Sequence, residues 1–233
     1  MYKRQVRNAF GLLSAILNEY RPDWKINIKL PQKVPFEGTA LTSEQISALL
    51  HSVEKYPDIE IPVLLALWLG LRRSEILGLR WENIDLKNQT LYVREARVPD
   101  VNGHLVTKNP KTVFSNRALW IPDYIAEKLK RMPHDGEYIM RISGSKLQKD
   151  FKKLCLDIGV PELRFHDLRH TMASVGLRLN IADKYMMERG GWSSINTMKK
   201  IYQQTVDDAS AIADREIESY FMELMQHEMQ HKK

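Results

Sequence analysis

The sequence predicts a mainly α-helical protein with one small antiparallel β-sheet, an α+β class, and three observations carry that prediction. Apolar residues return at helical spacing through most of the chain. The stretch from residue 91 to residue 121 instead holds short β-rich runs around an Asn102-Gly103 turn. Apolar residues make up 43% and charged residues 27% of 233, the balance of a globular chain long enough to bury one core.

The elements follow in order. Val6, Phe10, Leu13, Leu17 and Tyr20 form a stripe that predicts a helix over 1–20, with no N-cap ahead of it. Residues 21–40 read as a linker, because Pro and Gly interrupt both periods. Thr42 and Gln45 form a capping box ahead of Ile46, Leu49, Leu50 and Val53. Ile59 to Leu69 reads as a buried helix that stops at Gly70. It contains a proline and is too short to span a membrane. A short helix runs from about Ser74 to near Trp81. Strands are expected at Leu91–Val93, His104–Val106 and Arg117–Ile121, and Pro122 opens another helix. Helices at about 145–158, 166–179, 183–189, 194–203 and 208–229 complete the chain. In the last of these, Ala213, Ile217, Tyr220, Phe221, Leu224 and Met225 share one stripe. The organisation is a first helix (1–20), a linker (21–40), a main domain (41–206) and a C-terminal amphipathic helix (207–233).

The formal net charge of +6 suits a polyanionic partner, although charge alone is a weak indicator. The single cysteine, Cys155, rules out an internal disulfide framework, fits a reducing compartment and lies in an apolar helical stripe. No signal peptide follows the first residues, and a soluble intracellular protein is expected.

Three clusters carry chemistry. In Gly70-Leu71-Arg72-Arg73-Ser74-Glu75, Arg72 lies at the turn between two apolar helices and can project from a rigid base; taken alone it also fits a surface arginine paired with Glu75. In His166-Asp167-Leu168-Arg169-His170, helical spacing puts His166, Arg169 and His170 on one face, with Leu168, Met172, Val175 and Leu179 as a core stripe on another. The first face suits a phosphate, to which arginine donates bidentately, or simply solvent. Gly190-Gly191-Trp192 precedes a helix carrying Tyr202, a residue type that is more often a core aromatic than a nucleophile. A fourth pattern, His227-Glu228-Met229-Gln230-His231, has the spacing of a zinc site. Its place at the end of a terminal helix leaves no downstream ligand, so no metal is expected.

Taken together, the clusters resemble the catalytic domain of the tyrosine recombinases, the phage-integrase family, from about Thr42 to Tyr202. The family pattern of Gly-Leu-Arg-x-x-Glu, a hairpin lysine, His-x-x-Arg, Gly-His/Trp and a tyrosine about ten residues later falls here on Arg72 with Glu75, Lys111, His166 with Arg169, Gly191-Trp192 and Tyr202. Lys108 is the rival for the lysine. Trp192 stands where histidine is commoner; its indole N–H can donate but cannot act as acid or base. The resemblance implies that most of the family's N-terminal core-binding domain is missing, with residues 1–20 as its last helix. It also implies a site-specific recombinase that breaks and rejoins DNA through a 3′-phosphotyrosyl link. Tyr202 would be the nucleophile, His166 the base and Lys111 the acid. Arg72, Arg169 and Trp192 would hold the phosphate, and Glu75 would support them. Arg73, Lys108 and His170 are further DNA-binding candidates. No cofactor is implied. The partners would be double-stranded DNA and three further copies in a tetramer on it, with no membrane. The setting would be a prokaryotic cytoplasm, nucleoid-associated when bound to DNA. A non-catalytic DNA-binding module and a type IB topoisomerase-like enzyme are the alternatives.

Overall fold

A computed structural model of the chain describes residues 2–24, 26–32, 40–108, 116–196 and 198. It divides into two compact units, 1–37 and 38–233. The first is built on α1 (Tyr2–Tyr20), whose Arg7 donates 2.9 Å to the Pro31 carbonyl.

The second unit begins with α2 (Ser43–Val53), capped as expected. The Thr42 side chain accepts from the Gln45 N–H, and the Gln45 side chain accepts from the Thr42 N–H. α3 (Pro57–Leu69) starts two residues earlier than the apolar run, because Pro57 suits the first helical position. It is buried along almost its whole length and ends at Gly70 with φ of 70°. α4 (Arg73–Leu77) is shorter than the sequence suggests, since Gly78 closes it and a separate 3-10 turn forms at Trp81–Asn83.

The β region also differs from expectation. There are two sheets among the described residues, not one. β1 (Ile84–Asp85), β2 (Thr90–Val93) and β5 (Arg117–Trp120) form an antiparallel sheet in the order β1-β2-β5, with Leu91 facing Leu119 in register. β3 (Ala96–Pro99) and β4 (Leu105–Lys108) form a hairpin of their own across the Asn102-Gly103 turn. β3 was not foreseen.

Helices α5 (Asp123–Lys130), α6 (Gly144–Asp157), α7 (Asp167–Arg178) and α8 (Asp183–Gly190) follow close to their expected positions. α3 and α7 pack against each other, and the main core gathers Leu49, Leu65, Leu91, Ile125, Phe151 and Leu168 around them. Cys155 belongs to this core, and burial pushes its thiol up to about 12, as befits a structural residue. A second cluster joins Met172, Ala173, Met186, Trp192 and Met198. Leu179, expected on the core stripe of α7, is exposed instead. It lines an apolar groove of about 830 Å³ with Trp68, Trp120 and Tyr185. The helix expected over 194–203 is described only as far as Met198. Lys111, Tyr202, the helix over 208–229 and the His227–His231 motif lie outside the described residues. Among the described residues no helix is long and apolar enough to cross a membrane, and no group of three metal-ligand side chains gathers.

Candidate active site

The centre of the site is one carboxylate. Glu75 is 5% exposed, on the inner side of α4. Its Oε2 accepts from the Arg72 backbone N–H at 2.8 Å, the reach-back from the third helical position that a short helix needs to satisfy its first donors. Its Oε1 accepts from Arg72 Nη1 at 2.7 Å. Arg117 approaches from β5 and donates through Nη1 at 3.2 Å and Nη2 at 2.9 Å. Burial pushes the Glu75 carboxyl up, but the Arg117 hydrogen bonds and charge, with Arg72 beside them, more than offset it and hold the group at about 2. It is therefore a full anion at neutral pH.

Each arginine is then anchored a second time. Arg72 Nη2 donates 2.8 Å to the Gly191 carbonyl, and Arg117 Nε donates 2.9 Å to the Arg189 carbonyl. Arg189 Nη2 in turn donates 2.8 Å to the Trp68 carbonyl at the end of α3. The strand, the short helix and the end of α8 are thus tied to one another around the carboxylate.

Arg169, on α7, is 1% exposed. Its Nη1 donates to the Gly70 carbonyl, its Nη2 is buried with no hydrogen-bond partner among the described residues, and its guanidinium carbon stands 4.0 Å from the centre of the Trp192 ring. Burial, and then the charge of Arg72, push it well below the ordinary arginine range, although Glu75 acts in the opposite direction. A guanidinium still keeps its proton at neutral pH. Three guanidiniums, two of them bonded to it, therefore stand around one carboxylate, and the excess is positive. The Trp192 indole reaches this position because Gly191 closes α8 with φ of 62° and because a Cβ on Gly190 would lie 2.1 Å from the ring.

His166 stands just before α7, and its ring is exposed to solvent. Partial loss of water around it, and then Arg169, lower it below the usual histidine value, so it is neutral at pH 7. His170 packs edge-on against it at 4.8 Å, and burial followed by His166 pushes it down to about 4. His170 is 7% exposed and so lies deeper than the other DNA-binding candidates. The face of α7 that carries it is turned inward, and Asp167 lies beneath it, holding Arg164 through two bonds of 2.9 and 2.6 Å. Arg73 and Lys108, by contrast, are exposed.

The structure thus brings Arg72, Glu75, Arg169, His166 and Trp192 together. Arg117 and Arg189 were missed. Arg117 could have been found, since alternation in β5 puts it on the same side as the buried Leu119, where a lone charge requires a partner.

The chain is similar to known proteins along most of its length. The model of the phage integrase family matches residues 39–208. The integrase of Mycobacterium phage FRAT1 is 28% identical over 96% of this chain and 71% of its own length, and that of Mycobacterium phage D29 is 28% identical over 96% and 63%. A XerC-like tyrosine recombinase of Caldanaerobacter subterraneus is 26% identical over 75% of the chain and 52% of its own length. Among solved structures, the integrase of transposon Tn1549 superposes with a TM-score of 0.68 at 18% identity, covering 91% of this chain and 77% of that one. The catalytic domain of bacteriophage HP1 integrase superposes at 0.54 and 20% identity, covering 72% and 89%. The chain belongs to the phage integrase family, and the proteins it groups with are integrases and recombinases, enzymes that break and rejoin DNA.

Proposed function

We propose that this chain carries the catalytic domain of a site-specific DNA recombinase working through a 3′-phosphotyrosyl intermediate, with double-stranded DNA as substrate and a tetramer on DNA as the working assembly, in a prokaryotic cytoplasm. The observation that carries this reading is the convergence of Arg72, Arg169 and Trp192 on one electropositive site beside His166. Solved relatives also include the Tn1549 and lambda integrases bound to DNA.

The chemistry divides among the residues as follows. The Tyr202 oxygen bonds to phosphorus, the bond to the 5′-oxygen breaks, and the leaving oxygen takes a proton from Lys111. Charge grows on the phosphate oxygens in between. Arg72, Arg117 and Glu75 form a lattice that exists before substrate arrives, so Arg72 spends no energy reorganising when that charge develops. Arg169 Nη2, a buried donor with no acceptor of its own among the described residues, is available to a phosphate oxygen. Trp192 supports Arg169 through its ring face besides offering an N–H. His166, neutral at pH 7, can accept the tyrosine proton. Arg73 and Lys108, both exposed, would meet the DNA backbone.

A nicked suicide substrate tests the reading. The parent protein should trap a covalent protein–DNA adduct in the presence of EDTA, and Tyr202→Phe should bind DNA yet trap none. An undiminished adduct in the variant would remove Tyr202 from the mechanism, and strict dependence on Mg²⁺ would point to a metal-assisted nuclease.

A further inference from the structure

Tyr138 lies outside the phosphate site, yet separate parts of the fold converge on it. Its hydroxyl accepts from Arg80 Nη2 at 3.1 Å and lies 3.3 Å from Thr107 Oγ1 on β4. Arg97 on β3 places its guanidinium 4.0 Å from the centre of the tyrosine ring, and Arg80 stands 4.9 Å away. The backbone is equally engaged. Tyr138 bridges Arg80, with the Trp81 N–H donating 3.2 Å to the Glu137 carbonyl and the Ile139 N–H donating 3.0 Å to the Leu79 carbonyl.

These contacts link two bodies that matter. Residues 79–81 leave α4, the helix that carries Glu75 and follows Arg72. Thr107 and Arg97 belong to the β3–β4 hairpin, which among the described residues has no partner strand in the other sheet. The hairpin's other seat is Gly78, where a Cβ would come within 3.1 Å of the backbone at Ala96 and Arg97, and Arg80 also pairs with Glu95 ahead of β3. β4 ends at Lys108, three residues before Lys111 in the sequence.

We infer that Tyr138 is a positioning residue for the leaving-group step: it fixes the β3–β4 hairpin against the chain leaving α4, and so sets where the Lys111 segment begins relative to Arg72. The inference rests on the assignment of Lys111 as the proton donor. In that step the bond between phosphorus and the 5′-oxygen breaks while the oxygen takes a proton from the lysine ammonium, leaving a neutral amine and a 5′-hydroxyl. A substrate with sulfur in the 5′-bridging position needs no such proton, because a thiol with pKa of about 8.5 leaves readily as the thiolate.

Sulfur substitution therefore separates a misplaced acid from any other defect. Adduct formation is measured on matched phosphate and 5′-bridging phosphorothiolate substrates. Lys111→Ala is the reference, expected to lose roughly 10²–10⁴-fold on phosphate and to recover on sulfur. Tyr138→Leu should lose roughly a hundredfold on phosphate, the cost that a misplacement of about 1 Å carries, and should match the parent on sulfur. Tyr138→Phe keeps the ring but drops both hydroxyl contacts, so it should fall between. Arg97→Ala, which strips the guanidinium from the ring without changing residue 138, should show the same sulfur-dependent recovery even if Tyr138→Leu folds poorly. The inference is overturned if Tyr138→Leu cleaves phosphate at the parent rate, or if Lys111→Ala recovers on sulfur while Tyr138→Leu and Arg97→Ala stay slow. If Lys111→Ala itself fails to recover, the acid assignment falls, and the inference with it.

Discussion

Glu75 touches two guanidiniums and no solvent to speak of, which makes it the residue on which stability and activity meet. Removing one member of a buried ion pair leaves an uncompensated charge and costs about 3–5 kcal/mol. Glu75→Gln should therefore lose stability in urea by about that amount and should slow cleavage as well, because Arg72 loses its support. The pH dependence has a definite sign. The carboxyl is held at about 2, below the 4.5 of an unperturbed glutamate, so its contribution is fully present above about 4.5 and is lost as the pH falls toward 2. Urea midpoints measured across that window should decline for the parent and stay flatter for the variant; identical profiles would mean Glu75 stabilises nothing. Arg72, Glu75, His166 and Arg169 were singled out through the family resemblance, since the spacing of each cluster alone also suits a solvated surface. Arg117 was missed: strand alternation marks it as an inward-facing charge, but its partner Glu75 lies 42 residues away and no spacing announces that pair.

At the scale of elements, helices were legible where an apolar period of 3.6 persisted, as in α2 and α6, or where an apolar run was long enough, as in α3. β3 escaped because Ala96-Arg97-Val98-Pro99 carries a charge and a proline, and its pairing with β4 is decided by register and by the Gly78 seat. Leu179 was misplaced for a related reason: periodicity gives a face but not what covers it. The end of α8 offers a test of how tightly an element can hold a side chain. A methyl on Gly190 would strike the six-membered ring of Trp192 and drive the indole from Arg169. Gly190→Ala should cost about 1–3 kcal/mol of stability, as overpacking does, and should depress adduct formation. Pairing it with Trp192→Phe, which removes the ring that is struck, should return part of the stability. Additive losses in thermal melts of the two single variants and the double would show that the two sites do not meet.

Over the whole molecule, the core of the second unit, among the described residues, draws its members from Leu41 onward. Deleting residues 1–37 should therefore leave the melting temperature of the remainder close to that of the parent. A collapse of that temperature in calorimetry would show that the first unit completes the core. The arginine anchors carry a further consequence, for evolution. Arg72, Arg117, Arg169 and Arg189 each reach a main-chain carbonyl, those of Gly191, Arg189, Gly70 and Trp68. A peptide oxygen is present whatever side chain the position bears. Mutation can therefore rewrite the neighbouring side chains while the acceptors persist, so long as helix ends and close approaches are kept. Much of the scaffold that aims these guanidiniums is thus written in the backbone, where a change of neighbouring side chain does not erase it.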